Sequence, residues 1–85
     1  MPVDLQHFED AVVQRLGPLL GETMARAALA GHCRSLGLES DILAGDEIET
    51  VLRRLGQGMV LFVGAERAER LTGQLREDLH AGGAS

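Results

Sequence analysis

Between Ile48 and Phe62, apolar side chains return every three or four residues: Ile48, Val51, Leu52, Leu55, Met59 and Phe62. That interval follows the 3.6-residue turn of a helix, not the two-residue pleat of a strand. The stretch therefore commits the chain to an amphipathic helix with a wide buried face, and the other segments must supply what covers it. Leu5, Phe8, Val12 and Leu16 recur at the same spacing behind Asp4, a good N-cap residue. The spacing predicts a first helix over 4–16, ended by Gly17-Pro18, because proline disfavours helix at the residue before it.

Pro18 also suits a first helical turn and Gly37 a C-terminal cap, so a second helix is expected over 18–36. It carries two apolar stripes. One is Leu20, Met24, Ala27 and Gly31; the other, nearly opposite, is Ala25, Leu29, Cys33 and Leu36. A helix apolar on two sides is either central in its fold or shared between a core and a partner. Residues 40–43 are expected to form a short turn in the loop that follows.

The third helix is expected over 46–63, with Asp46 as its cap and Glu47 and Glu49 favouring its N-terminal dipole. Gly56 and Gly58 lie inside it, each costing about 1 kcal/mol relative to alanine, so a kink or break after Leu55 is an open alternative. Met59–Val63, between Gly58 and Gly64, also reads as a short buried strand. Helix is preferred, because no other segment looks able to pair with such a strand. A fourth helix is expected over 65–79, with Ala68, Leu71, Leu75 and Leu79 inward. The predicted fold is all-α: a compact four-helix arrangement with a central second helix. Its core should include Leu5, Phe8, Val12, Leu20, Met24, Ala27, Ile48, Leu52, Leu55, Met59, Phe62, Leu71 and Leu75. Residues 1–80 form a single domain, and 81–85 are expected to fray. No internal repeat is apparent in the sequence.

The chain must make this core with few large parts. Phe8 and Phe62 are its only aromatic residues, which leaves Leu, Val, Ile, Met and Ala, and Leu and Ala are strong helix formers. Cys33 is the only cysteine, so no internal disulfide supports the fold. An 85-residue domain hides roughly 60–65% of its unfolded surface, a modest core that a partner chain could extend.

Charge excludes several functions. The net charge is -5 and every basic side chain other than histidine is arginine, with no cluster larger than Arg53-Arg54. A nucleic-acid reader needs a cationic footprint on the phosphates, and a single-strand binder also needs aromatic platforms. Neither is present. The longest apolar run, Met59 to Val63, is far too short to span a bilayer. With no leader pattern at the start and one free thiol, the expected location is the cytoplasm.

Two acidic-x-x-His spacings, Asp4-x-x-His7 and Glu77-x-x-His80, resemble half-sites of helical-bundle carboxylate metal proteins. Phase argues against them: His7 falls about 145° from the centre of its helix's apolar stripe. Exposed helix-end residues are the simpler reading. In His32-Cys33 the neighbours point about 100° apart, which suits neither shared metal binding nor a nucleophile-base pair. Cys33 reads as a small core residue. The run His32-Cys33-Arg34-Ser35-Leu36-Gly37 resembles histidine phosphotransfer domains in placing a histidine on a bundle helix. It lacks their Lys-Gly three residues on. The resemblance implies a signalling domain with His32 as phosphoacceptor. No phosphate loop, nucleophile elbow or Cys-x-x-Cys occurs, and no catalytic, cofactor or metal residue is assigned.

Surplus apolar surface is what remains. The second stripe of helix 2 and the off-stripe pair Val60-Leu61 in helix 3 make Ala25, Leu29, Leu36, Val60 and Leu61 candidate interface residues. The expected function is a small non-enzymatic helical interaction module, an adaptor or regulator acting on another protein or pairing with itself as a homodimer. Phosphotransfer and bundle-metal binding are the alternatives. No cofactor, nucleic acid or membrane is expected as a partner.

Overall fold

A computed structural model describes residues 2–83, and the side chains of 2–80. Four helices form a closed ring: α1 (Leu5–Leu20), α2 (Glu22–Ser35), α3 (Gly45–Val63) and α4 (Ala65–Gly83). Each packs on its two neighbours in the order α1-α2-α3-α4, with α4 returning to α1. The all-α, four-helix expectation holds. The second helix is one wall of the ring, packed mainly on α1 and more lightly on α3. Two two-residue strands, β1 (Val3–Asp4) and β2 (Ile42–Leu43), pair antiparallel with Val3 opposite Leu43 and Asp4 opposite Ile42. They bury Val3 and Leu43 beneath the helices. β2 lies where a short turn was expected, because its ladder partner, β1, is only two residues long and gives no periodic signal.

The first helix does not stop at Gly17-Pro18. Pro18 sits inside its last turn, and the chain turns at Gly21 instead. Pro18 lacks an N–H for the carbonyl four residues back, a loss of one bond at the end of a helix. Gly21 adopts φ 90° and ψ 149° and donates its N–H to the Gly17 carbonyl at 2.7 Å. That conformation is essentially open only to glycine. It outweighs the proline as the terminator and moves the start of α2 to Glu22. Gly64, between α3 and α4, repeats the device at φ 87° and ψ 162°, with its N–H on the Val60 carbonyl. Four residues after each corner stands a buried alanine, Ala25 or Ala68. The chain is thus strand, helix, glycine corner, helix, made twice.

Asp4 caps α1 as expected, accepting from the Gln6 N–H at 2.8 Å. α3 begins one residue early: Ala44 holds the cap position, its N–H donated to the Glu47 carboxylate at 2.8 Å, and Asp46 lies in the first turn. Gly37, at φ 73°, ends α2 as predicted. Helix α4 runs through Gly83; 84 and 85, in the expected tail, lie outside the described residues.

Met59–Val63 is the last part of α3, and the helix passes unbroken through Gly56 and Gly58. Gly56 has a packing reason: a Cβ there would stand 2.8 Å from Thr72 Oγ1 on α4. That hydroxyl donates to the Ala68 carbonyl at 2.9 Å, and its β-branched side chain has little freedom to retreat. A Cβ on Gly58 meets nothing within 4 Å. Gly58→Ala is therefore expected to stabilise the protein by about 0.5–1 kcal/mol through helix propensity. Gly56→Ala is expected to destabilise it by about 1 kcal/mol or more, the propensity gain being overcome by overpacking. Urea unfolding midpoints of the two variants measure the contrast.

The core joins Phe8, Val12 and Leu16 of α1, Ala25, Leu29 and Cys33 of α2, Ile48, Val51, Leu52, Leu55 and Met59 of α3, and Ala68, Leu75 and Leu79 of α4. Leu5, Leu20 and Leu71 are half-buried against it. Met24, Ala27 and Phe62, expected inside, are exposed. In α2 the corner at Gly21 fixes the phase so that the Ala25/Leu29/Cys33 stripe meets α1 and the Met24/Ala27/Gly31 stripe turns outward. In α3 the core-facing position after Met59 is taken by Val63, which leaves Phe62 at the surface.

Two bidentate ion pairs tie α4 to its neighbours. Arg15 donates from Nε and Nη2 to Asp78 at 2.7 and 2.9 Å, joining α1. Arg76 donates likewise to Glu49 at 2.8 and 3.0 Å, joining α3. The hydrogen-bonded guanidinium in each pair holds its carboxylate below the ordinary range.

Candidate functional site

Helices α1 and α3 both start beside the paired strands and both end at a glycine corner. At about 1.5 Å per residue they span roughly 24 and 28 Å, close to the longest dimension of the molecule, 29 Å. The protein therefore has a strand end and a glycine end. The two corners come together at the latter, because Leu20 and Met24, on either side of Gly21, share a groove with Met59 and Phe62, shortly before Gly64. Leu16, Ala28, Leu55 and Gly58 complete its floor and His32 stands at its rim. Its volume is about 130 Å³.

The apolar surface of the molecule is concentrated here. Among the described residues six large hydrophobic side chains are exposed: Leu19, Met24, Ile42, Val60, Leu61 and Phe62. All but Ile42 lie within four residues of Gly21 or Gly64 along the chain. Leu61 is 90% exposed, Phe62 66% and Met24 55%. Single exposed apolar side chains are ordinary on a protein surface, whereas most of those of this molecule are grouped near the two corners. The sequence singled out Val60 and Leu61. It missed Met24 and Phe62, because both fit a helical stripe, and it missed Leu19, beside the supposed helix break at Pro18.

The other expected interface residues lie elsewhere. Ala25 and Leu29 are buried in the chain's own core, where α2 meets α1, and cannot meet a partner without unfolding. Leu36 is half-buried against the core at the far end of α2. The apolar stripe they form is the inner face of α2, so it is spent on intramolecular packing.

His32 is half-buried, and burial, with Arg54 nearby adding to it, pushes its imidazole below the ordinary range. Cys33 is buried and burial pushes its thiol up, the setting of an inert core cysteine. Asp78 lies near His7, and Glu49 lies near His80. Among the described residues no three His, Cys, Asp or Glu side chains group as metal ligands. The Nε2 of His7 is buried without a hydrogen-bond partner among the described residues. A second cavity, about 170 Å³, opens at the strand end between Val3, Ile48, Leu52 and Leu79, with Arg76 and Glu49, already paired to each other, across its mouth.

No protein-family model, no curated protein and no solved structure matches this chain. Among the described residues no helix is long and apolar enough to cross a membrane.

Proposed function

We propose that the chain is a non-enzymatic helical interaction module that docks another polypeptide at its glycine end. One observation carries this reading: the exposed Met24 and Phe62 line one groove at the two corners, and Leu19, Val60 and Leu61 are exposed within four residues of those corners. An exposed Phe beside a shallow apolar groove suits a partner that inserts apolar side chains and covers the ring. The rim supplies balanced charge rather than one sign. Arg26 pairs with Glu22 beside Gly21, and Arg70 with Glu66 beside Gly64. Such a rim suits a protein surface better than a polyanion. An adaptor or regulator working in the cytoplasm agrees with the unpaired Cys33 thiol.

Placing a photo-crosslinking side chain at single positions in living cells tests the reading. Position 62 or 61 is expected to give discrete covalent adducts with a polypeptide, identified by mass spectrometry. Position 42, the exposed hydrophobic away from the glycine end, is expected to give none. Equal labelling at 42 and 62, or no adduct at 61 and 62, rules the docking end out.

A further inference from the structure

We infer that the polypeptide docked at the glycine end is a second copy of this chain, in a two-fold dimer that seats Phe62 of each copy in the groove of the other. The inference rests on the docking reading above and adds the identity of the occupant.

Self-pairing about a two-fold axis requires one patch to carry both the projecting group and the hollow that takes it. This patch does. Phe62 forms one wall of the groove and still stands 66% exposed, while the hollow beside it is lined by Leu20, Met24, Ala28 and Met59. Ala28 and Gly58, with little or no side chain, leave room on the floor for an incoming ring. The exposed parts of Leu19, Met24, Leu61 and Phe62 amount to roughly 500 Å² of the about 800 Å² that a stable interface takes from each partner. The half-buried Leu20 and Val63 and the charged rim beside the corners lie where the remainder is needed.

Charge shapes the expected behaviour. Each copy carries a net charge of -5, so electrostatics opposes pairing and the attraction must be apolar. Raising the salt screens the repulsion and strengthens apolar burial. Within each copy Glu22 and Glu66 stand beside Arg26 and Arg70, which lowers the net charge of the rim itself.

Sedimentation equilibrium on the full chain decides the matter. The expected result is a mass twice the 9.1 kDa chain at micromolar concentration, with a dimer that tightens as salt is raised. Phe62→Asp and Leu61→Asp are each expected to raise the dissociation constant about tenfold or more. Both sites are exposed, so the circular dichroism spectrum should stay that of the parent. Ile42→Asp should leave the dimer as it is. A one-chain mass at millimolar concentration overturns the inference. A dimer untouched by both Phe62→Asp and Leu61→Asp overturns it too. If the purified chain is a monomer while position 62 still crosslinks to another protein in cells, self-pairing fails and the docking end stands. If neither crosslink nor dimer forms, both fall.

Discussion

Leu55→Ala is expected to leave little folded protein at 37 °C, while Leu61→Ala, six residues further along the same helix, leaves the fold unchanged. Leu55 is 4% exposed and packs in the core beneath the groove; Leu61 is 90% exposed. Truncating a buried leucine costs about 2–5 kcal/mol, as the lost transfer free energy plus the cavity left behind. A domain of this length has roughly 4–13 kcal/mol of total stability, so the loss takes a large share. It has few ways to refill the space, since Phe8 is its only buried aromatic residue. Leu61→Ala removes side-chain surface that was already in water, and its effect should stay within about 0.5 kcal/mol. Thermal melts followed at 222 nm, run well below any association threshold, compare the two directly. Similar melting temperatures for both variants would mean that Leu55 is not part of the core.

Gly21→Ala and Gly64→Ala are expected to be the most damaging changes that remove no contact. A Cβ at either corner meets nothing within 4 Å, so steric crowding from the rest of the protein is absent. The cost is local. With φ near 90° and ψ near 150–160°, an L side chain collides with its own backbone. Conformations of this kind cost about 1–3 kcal/mol each, and they persist only where the surroundings enforce them. The two corners are far apart in sequence, and the costs should come close to adding in the double variant. Urea titration of the two single variants and the double one measures both terms. Relief of the strain by bending a corner would show as a small stability loss together with a changed glycine end, and so as altered association.

The helices themselves could be read from the sequence because their apolar residues keep a strict turn-by-turn spacing. The Ile48–Met59 stripe is buried as its periodicity demands, and so are Phe8, Val12 and Leu16. The sequence misleads where two physical signals compete. At Pro18 the missing N–H argues for a helix end, whereas the backbone freedom of Gly21 decides it. In α2 both stripes are periodic, and only its packing on α1 turns Ala25 and Leu29 inward and Met24 outward. Phe62 was misplaced for a different reason: a periodic pattern says which residues share a face and is silent on where the neighbouring helix ends. The resemblance between the halves was hidden as well. It resides in two glycines with the same backbone angles and two buried alanines, too little for side-chain similarity to register. The glycine end depends on two corners separated by 43 positions meeting at one groove, and that is a matter of tertiary packing.

The ring also fixes where the chain can be tethered. Helix α4 runs back from Gly64 to the strand end, and Leu79 lines a cavity there with Val3. Entry and exit of the folded unit thus lie side by side, roughly a helix length from Phe62. Anything joined to either end, whether a purification tag, a fluorescent reporter or a second domain, emerges on the side away from the apolar groove. Fusions at either terminus should accordingly report on docking without blocking it. A short linker between the neighbouring ends could join them into a circle, leaving the segment between α2 and β2 as the natural place to open the chain anew.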